Sequence, residues 1–599
     1  MSFLERARRD IFFFRSALRS VRRTGRIASE PTRIFPLVID EMAQRFGDAP
    51  ALIGARESYG YRALAERANR YARWALEQKL AKGDVIGLLM PNRPEYLAIW
   101  LGVTKVGGVV ALINTNLVGA SLARSVDIVA PKHMIVAAEL REAWETARAL
   151  IAGRPTLWLY GEAPGDERRL DRAVESHSAA PLAGAERRAL TIEDRALYIY
   201  TSGTTGMPKA ANVNHYRVML ACTGFAAAMD TGPSDRMYNC LPMYHTTGGL
   251  CATGSLLLAG GSVVIAEKFS AHEFWRDLVR YECTLFQYVG ELCRYLLNTP
   301  SDPQETRHRL RLACGNGLRP DIWNDFQTRF RIPLILEFYA ATEGNVVLFN
   351  FDGKPGALGR APRLFARRFP AALIALDPTT GAPLRDANGL CIARGIDEPG
   401  EMIGRIARDP SQPGSRFEGY ANSADNEPKI LRDVFARGDA WFRTGDLMRR
   451  DADGYLYFVD RIGDTFRWKG ENVSTAEVAD VLCRFPGIAH ANVYGVTVPG
   501  ADGRAGMAAL VAIGNLDLAA LYAHLAQALP DYAQPLFLRI RGEIEVTATF
   551  KQKKGDLVRD GFDPARISDA LYFNDRTRKA FVPLDAALYR RISAGEVRL

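Results

Sequence analysis

Between Tyr200 and Lys209 the chain reads Tyr-Thr-Ser-Gly-Thr-Thr-Gly-Met-Pro-Lys. Gly203 and Gly206 let backbone amides turn inward, and the hydroxyls of Thr201, Ser202, Thr204 and Thr205 add donors. Lys209 adds a full positive charge, and the whole makes a cradle for a polyphosphate. The spacing is not that of a Walker A loop, because two residues, not four, separate the glycines and Pro208 precedes the lysine. The apolar alternating run Ala196–Tyr200 leads into the loop as a strand would. Nucleophilic chemistry of the Ser–His–Asp kind has no support, since the G-x-S-x-G elbow is absent. The eight cysteines include no C-x-x-C pair and no cluster at metal-ligand spacing. Free buried thiols in a reducing cytoplasm are therefore expected, and a structural zinc or a disulfide framework is not.

The loop resembles the phosphate loop of the adenylate-forming superfamily of acyl-CoA synthetases, luciferases and peptide-synthetase adenylation domains. Further motifs follow in that family's order from about residue 50 to 565. Glu337-Phe-Tyr-Ala-Ala-Thr-Glu-Gly344 is similar to its adenine and magnesium motif. The resemblance implies Tyr339 for stacking on adenine, Thr342 for phosphate and Glu343 for Mg²⁺, with Thr204 as a second metal ligand. Gly315-Asn316-Gly317 resembles the backbone that lines the nucleotide, and Arg443-Thr-Gly-Asp-Leu447 the ribose motif. There Asp446 would accept hydrogen bonds from both ribose hydroxyls, with Arg461 as the second ribose or phosphate contact. Tyr244-His245-Thr-Thr-Gly-Gly249 resembles a gate between the nucleotide site and an acyl tunnel. Tyr288-Val-Gly-Glu-Leu292, with Gly290 at its centre, resembles part of the tunnel wall.

Asp460-Arg-Ile-Gly-Asp-Thr-Phe-Arg-Trp-Lys-Gly-Glu-Asn-Val-Ser-Thr475 narrows the resemblance most. It is similar to the long- and very-long-chain acyl-CoA synthetase and fatty-acid-transport-protein branch. Gly463 and Asp464 fall where the superfamily places its interdomain hinge. Lys469-Gly470 falls in the loop that faces the active site during thioester formation. Thr547-Ala-Thr-Phe-Lys551 resembles the catalytic-lysine motif; Lys553 and Lys554 stand beside it, so the choice of Lys551 rests on the resemblance. Ala340 and Ala548 stand where Gly is usual.

The resemblance implies an AMP-forming fatty acid:CoA ligase that uses ATP, Mg²⁺ and coenzyme A. A fatty carboxylate attacks the α-phosphorus of ATP and pyrophosphate leaves; the thiol of CoA then attacks the acyl-adenylate and AMP leaves. Two anions meet in the first step, so Lys209, Glu343 with its metal, and Lys551 are the catalytic candidates. Two other functions stay open: a fatty acyl-AMP ligase that loads a carrier protein, and a fatty-acid uptake or binding protein. Chain-length preference is not legible, because each CH₂ is worth only about 0.8 kcal/mol of burial.

These residues need a scaffold. From about residue 48 to 350 short apolar runs alternate with helical patterns: Val85–Met90 as strand, Glu95–Lys105 as helix, Val109–Ile113 as strand. That βαβ rhythm predicts a parallel sheet flanked by helices. Gly- and Pro-rich breaks at 352–363 and 378–400 predict a β-rich portion before residue 460. The expected class is α/β. A basic amphipathic segment spans 1–47 and a large ATP- and acyl-binding domain 48–461. A small mobile C-terminal α/β domain follows over 462–599, with its hinge near 463. Ser474-Thr-Ala-Glu477 is a capping box that should open a helix there, while the tail beyond Asp563 shows no motif.

The formal charge is +9, and eight arginines against Glu5 and Asp10 place +6 of it in the first 27 residues. The remaining +3 gives a nucleic-acid partner no support. In that stretch Leu4, Ala7, Ile11, Phe14, Leu18 and Val21 recur at spacings of three and four, one apolar stripe on a helix. Such a helix either packs on its own protein or lies on an anionic membrane surface. Its apolar run Ile11–Phe14 is too short for a signal peptide. The uncharged stretch Leu250–Ala266, broken by glycines, is expected as a buried helix–turn–strand rather than a membrane span. A cytoplasmic enzyme, soluble or peripheral on the inner face of a membrane, is expected.

Overall fold

A helix that is apolar on every side must be covered on every side. Pro94–Lys105 is such a helix, with all twelve residues buried. Its two buried charges are paired, as burial requires. Glu95 accepts from Arg67 Nε at 2.6 Å and from the hydroxyls of Tyr59 and Tyr71. Lys105 donates to Asp40 and Asn69, each at 2.6 Å. The computed structural model describes residues 3–162, 167–202, 208–361, 369–377, 380–407, 409, 415–469, 471–501, 503–545, 553–597 and 599.

Two sheets share the core that covers this helix. The first has six strands in the order Thr156–Tyr160, His133–Ala137, Val85–Leu89, Val109–Leu112, Arg195–Ser202, Pro208–Asn214. All its pairings are parallel except the last. The second has eight strands, with Ile335–Ala340, Leu312–Asn316, Leu285–Val289, Arg236–Asn239, Ser262–Ile265 and Pro50–Gly54 running parallel. The antiparallel strands Val347–Asn350 and Ser58–Gly60 close its two edges. The βαβ pattern read at 85–113 is thus present within a residue or so of its expected bounds. Leu250–Ala266 is buried, beginning in a π-helix at Thr247–Gly254 and ending in the strand Ser262–Ile265. No described helix is long and apolar enough to cross a membrane.

The Gly- and Pro-rich region folds as a third, antiparallel sheet. It contains Gly359–Arg360, Tyr455–Arg461, Ala440–Arg450, Gly400–Arg405 and Ala371–Ile374 in order, with Ile430–Arg432 beside Ala440–Arg450. A smaller C-terminal unit follows with a core of its own. Its main sheet has the strands Ile488–Val496, Ala505–Ala512, Phe537–Arg541, Ala570–Asp575 and Ala580–Pro583, with the pair Phe466–Trp468 and Glu471–Val473 before it. The tail that carried no motif therefore supplies the last two strands and the helix Ala586–Ser593. The capping serine works as expected: Ser474 accepts from the amide of Glu477 and opens the helix Thr475–Cys483. All eight cysteines are free, and seven are buried.

Candidate active site

Parallel strands leave their carboxyl ends at one edge of a sheet, where the connecting loops have room for a ligand. The hairpin of the first sheet ends there, with Thr201 and Lys209 as cross-strand partners. Gly203, Thr204, Thr205 and Gly206 lie outside the described residues, as does the side chain of Ser202. Lys209 Nζ reaches Asp425 at 2.8 Å and lies over the ring of Tyr420, 5.4 Å from its centroid. Both partners arrive because residues 418–421 run beside the strand Pro208–Asn214. The Asn212 amide donates to Gly419 O at 2.9 Å and the Ala421 amide to Ala210 O at 2.8 Å. The Asn212 side chain adds bonds to the carbonyls of Glu418 and Tyr420.

The Tyr420 hydroxyl donates to Glu343 Oε1 at 2.9 Å. Burial, and after it the Glu343 carboxylate, push this phenol above its ordinary pKa, so it remains a donor at neutral pH. One tyrosine thus stands between the cation of Lys209 and the carboxylate of Glu343. Thr342, beside Glu343, has its hydroxyl 2.9 Å from that of Thr246, which brings the His245 segment against the same motif. Arg217 Nη2 holds the carbonyls of Thr342 and Gly344, each at 2.6 Å.

The expected ribose corner lies on the third sheet. Asp446 and Arg461 are cross-strand partners, with Arg461 Nε 3.5 Å from Asp446 Oδ1. Tyr339 donates its hydroxyl to Asp446 Oδ2 at 2.6 Å, so the adenine and ribose motifs meet directly. Behind them Glu401, fully buried, takes Arg443 at 2.7 Å and the Gly445 amide at 3.2 Å. That clamp fixes the bend on which Asp446 sits.

Along the second sheet, Gly315, Asn316 and Gly317 end the strand Leu312–Asn316 beside the end of Leu285–Val289. A Cβ on Gly290 would stand 1.6 Å from Gly317 O, and one on Gly315 2.4 Å from the Tyr288 ring. Gly290 therefore serves a close backbone contact with Gly317. The carboxylate of Glu337 accepts from the Gly317 and Leu318 amides and from the Tyr288 hydroxyl. Burial pushes its carboxyl up to about 8, against the pull of those three donors. Asn316 Oδ1 is shielded from solvent with no hydrogen-bond partner among the described residues, an acceptor that a ligand's amino group would satisfy.

Between the third sheet and the C-terminal unit, Gly463 has φ +97 and nothing within 4 Å of its Cβ position. Backbone conformation, not crowding, asks for glycine there. Asp464 pairs with Lys554 Nζ at 3.1 Å, and Lys554 also donates to Thr475 Oγ1 at 2.8 Å. Lys469 Nζ donates to the carbonyl of Leu599 at 2.6 Å, within its own unit. Gly470 and Lys551 lie outside the described residues.

Tyr420, Asp425, Glu401 and Arg217 were not found from the sequence. Each is a single residue whose partner is far along the chain, and none sits in a pattern that local spacing could reveal.

The Thr201–Lys209 hairpin ends at the carboxyl edge of the first sheet, and the Tyr339–Asp446 bond ties the second sheet to the third. The chain belongs to the AMP-binding enzyme family: the family's model matches residues 39–402, and that of its C-terminal domain residues 477–551. Long-chain fatty acid transport protein 1 of Mus musculus is 40% identical over 601 residues, covering 99% of this chain and 92% of that relative. Long-chain fatty acid transport protein 3 of Homo sapiens is 43% identical over 526 residues, covering 87% and 76%. Among solved structures, the anthranilate CoA ligase AuaEII in complex with anthranoyl-AMP superposes with TM-score 0.74 at 20% identity, covering 88% of this chain and 98% of its own. A fatty acyl CoA synthetase of Mycobacterium tuberculosis superposes with TM-score 0.61 at 24% identity, with the same coverage. These structures share the fold.

Proposed function

We propose that the protein is a long-chain fatty acid:CoA ligase, forming an acyl-adenylate from ATP and then the CoA thioester. The observation that carries this reading is the meeting of Lys209, Tyr420 and Glu343 beside the Tyr339–Asp446 corner, in a chain similar over its length to proteins named for long-chain fatty acids. Lys209 would neutralise the nucleotide's phosphates while Tyr339 and Asp446 hold adenosine. Asn316 Oδ1 would take the exocyclic amine of adenine. Lys551 would add charge at the α-phosphorus as carboxylate and phosphate approach.

Magnesium suits this donor set. The ion ordinarily takes one or two carboxylates and completes its shell with substrate phosphates and water. Glu343 offers one such carboxylate, and the described residues contain no cluster of three or more His, Cys, Asp or Glu. Held by Glu343 and Thr204, magnesium would supply positive charge beside the phosphates. Rotation of the C-terminal unit about Gly463 and Asp464 would then exchange Lys551 for the Lys469-Gly470 face, where CoA attacks. Acids of this length partition into lipid, so contact with a membrane surface belongs to the same proposal.

The test is CoA-dependent AMP release by the purified protein over fatty acids from short to very long. Thioester formed from long acids supports the ligase. Adenylate without thioester points to a carrier-loading enzyme, and binding without turnover to an uptake protein. Lys551→Ala should slow adenylation roughly 100- to 1000-fold while sparing thioester formation from supplied acyl-adenylate.

A further inference from the structure

The N-terminal helix Phe3–Thr24 is docked, and it is docked by the wrong face for its hydrophobic pattern. Phe13, Ser16 and the following Ile27 are buried, and the helix packs on His215–Met229. Phe13 meets Phe351 edge-on at 5.6 Å. Arg19 donates to Ala227 O at 2.7 Å and pairs with Asp230 at 3.1 Å. Nearer the start, Arg9 pairs with Asp352 at 3.2 Å and Asp10 with Arg360. Contacts along both halves fix the helix's roll about its own axis.

That roll turns the apolar stripe outward. Ile11 is 60% exposed, Leu18 67% and Val21 68%, with Phe14 at 37% and the neighbouring Phe12 at 46%. At 100° per residue, Ile11, Phe14, Leu18 and Val21 fall within an arc of about 80°, and Arg15 and Arg22 in the arc beside it. Arg15, Arg22 and Arg26 are exposed. With Leu18, Arg19 and Arg23 they line an open hollow of about 500 Å³. Single exposed hydrophobes are ordinary, but four on successive turns make a continuous strip that water covers poorly.

We propose that this face lies in the plane of an anionic lipid bilayer, with Ile11, Phe14, Leu18 and Val21 among the upper acyl chains. The choice of occupant follows from charge. Guanidinium groups border the strip along its length, a match for the phosphates of acidic headgroups, and long Arg stems let the charge sit above an inserted apolar edge. A protein groove complementary to this face would have to be acidic along one edge over several turns. The docking sharpens the membrane contact proposed above by naming the face and the lipid, and it does not depend on catalysis: lipid binding and turnover have separate readouts.

The experiment is flotation of the full-length protein with phosphatidylcholine vesicles, plain or containing about one-third phosphatidylserine, at physiological salt. The wild type should float with the anionic vesicles and not with the plain ones. Leu18→Ser with Val21→Ser should lower that partition about tenfold or more, since apolar burial sets the strength of such binding. Arg15→Glu with Arg22→Glu should abolish the preference for the acidic lipid. All four positions are solvent-exposed, so thermal melting and turnover of a detergent-dispersed acid should match the wild type. Absence of wild-type binding to anionic vesicles would overturn the proposal, as would double variants that bind unchanged. Loss of a dimer in sedimentation by the serine variant, with vesicle binding intact, would reassign the face to a second copy of the chain.

Discussion

Asp446 and Asp460 sit on neighbouring positions of one strand pair, and they are supported in opposite ways. Asp446 takes the Tyr339 hydroxyl from the second sheet, and the clamp behind it belongs to the third. Glu401, fully buried, clamps Arg443 and the Gly445 amide and so holds the bend. Asp460 faces the C-terminal unit. It accepts from the Thr475 amide at 2.7 Å, at the first turn of the helix Thr475–Cys483, where a carboxylate is favoured by the helix dipole. Thr475 in turn holds Lys554, and Lys554 reaches Asp464. Burial raises the pKa of Asp460, with the charge of Lys554 opposing. One corner is rigid because its parts cannot separate. The other is assembled from two units joined through the bonds of Asp460 to Thr475, with Lys554 bracing Thr475 and Asp464 behind it, so it can let go.

The comparison can be broken most sharply at Glu401. Glu401→Ala leaves a largely shielded Arg443 unpaired and should cost about 3 kcal/mol in denaturant unfolding, with weaker ATP binding. Unchanged stability would mean that the clamp is not what fixes the bend. Next is Glu337, another buried carboxylate, under the Gly317 and Leu318 amides. Its folded pKa of about 8 lies above the ordinary 4.5, so the folded state holds a proton that the unfolded chain releases. Stability should therefore fall as pH rises between those values, by about 1.4 kcal/mol per unit at most. Glu337→Gln mimics the protonated form and should remove that slope from pH-dependent melting. Asp446→Asn keeps the shape but weakens the acceptor, and should raise KM for ATP about tenfold with a smaller change in kcat. Smallest is Lys554→Ala. The pair is partly exposed, so the stability loss should stay under about 1 kcal/mol. The ratio of adenylation to thioester formation should nonetheless shift, and a constant ratio would mean that the Lys554 brace beside Asp464 does not bear on the two half-reactions.

Much of the scaffold was legible because it follows local rules. The runs at 85–113 alternate in a way that only a strand–helix–strand unit satisfies, and Ser474 with Glu477 announces a helix start through one side-chain bond. The site was legible only where residues cluster in sequence, as between Tyr200 and Lys209 or Glu337 and Gly344. Tyr420 was invisible, although it stands between Lys209 and Glu343, because it arrives on a segment some two hundred residues further along the chain that attaches to the edge of the first sheet. The closing strands of the C-terminal sheet were missed for a related reason: Ala570–Asp575 is short and pairs with distant Phe537–Arg541.

The N-terminal helix marks the boundary between the two kinds of information. Its sequence alone determined that Phe3–Thr24 would be helical, that one stripe would be apolar and that arginines would border it. Which face is buried was decided by the tertiary structure. Phe351, Asp230 and Arg360 offer an aromatic edge and charges of the right sign to Phe13, Arg19 and Asp10, so the helix seats there and its stripe turns outward. Periodicity identifies a face; only the surfaces brought opposite it by folding determine what that face touches.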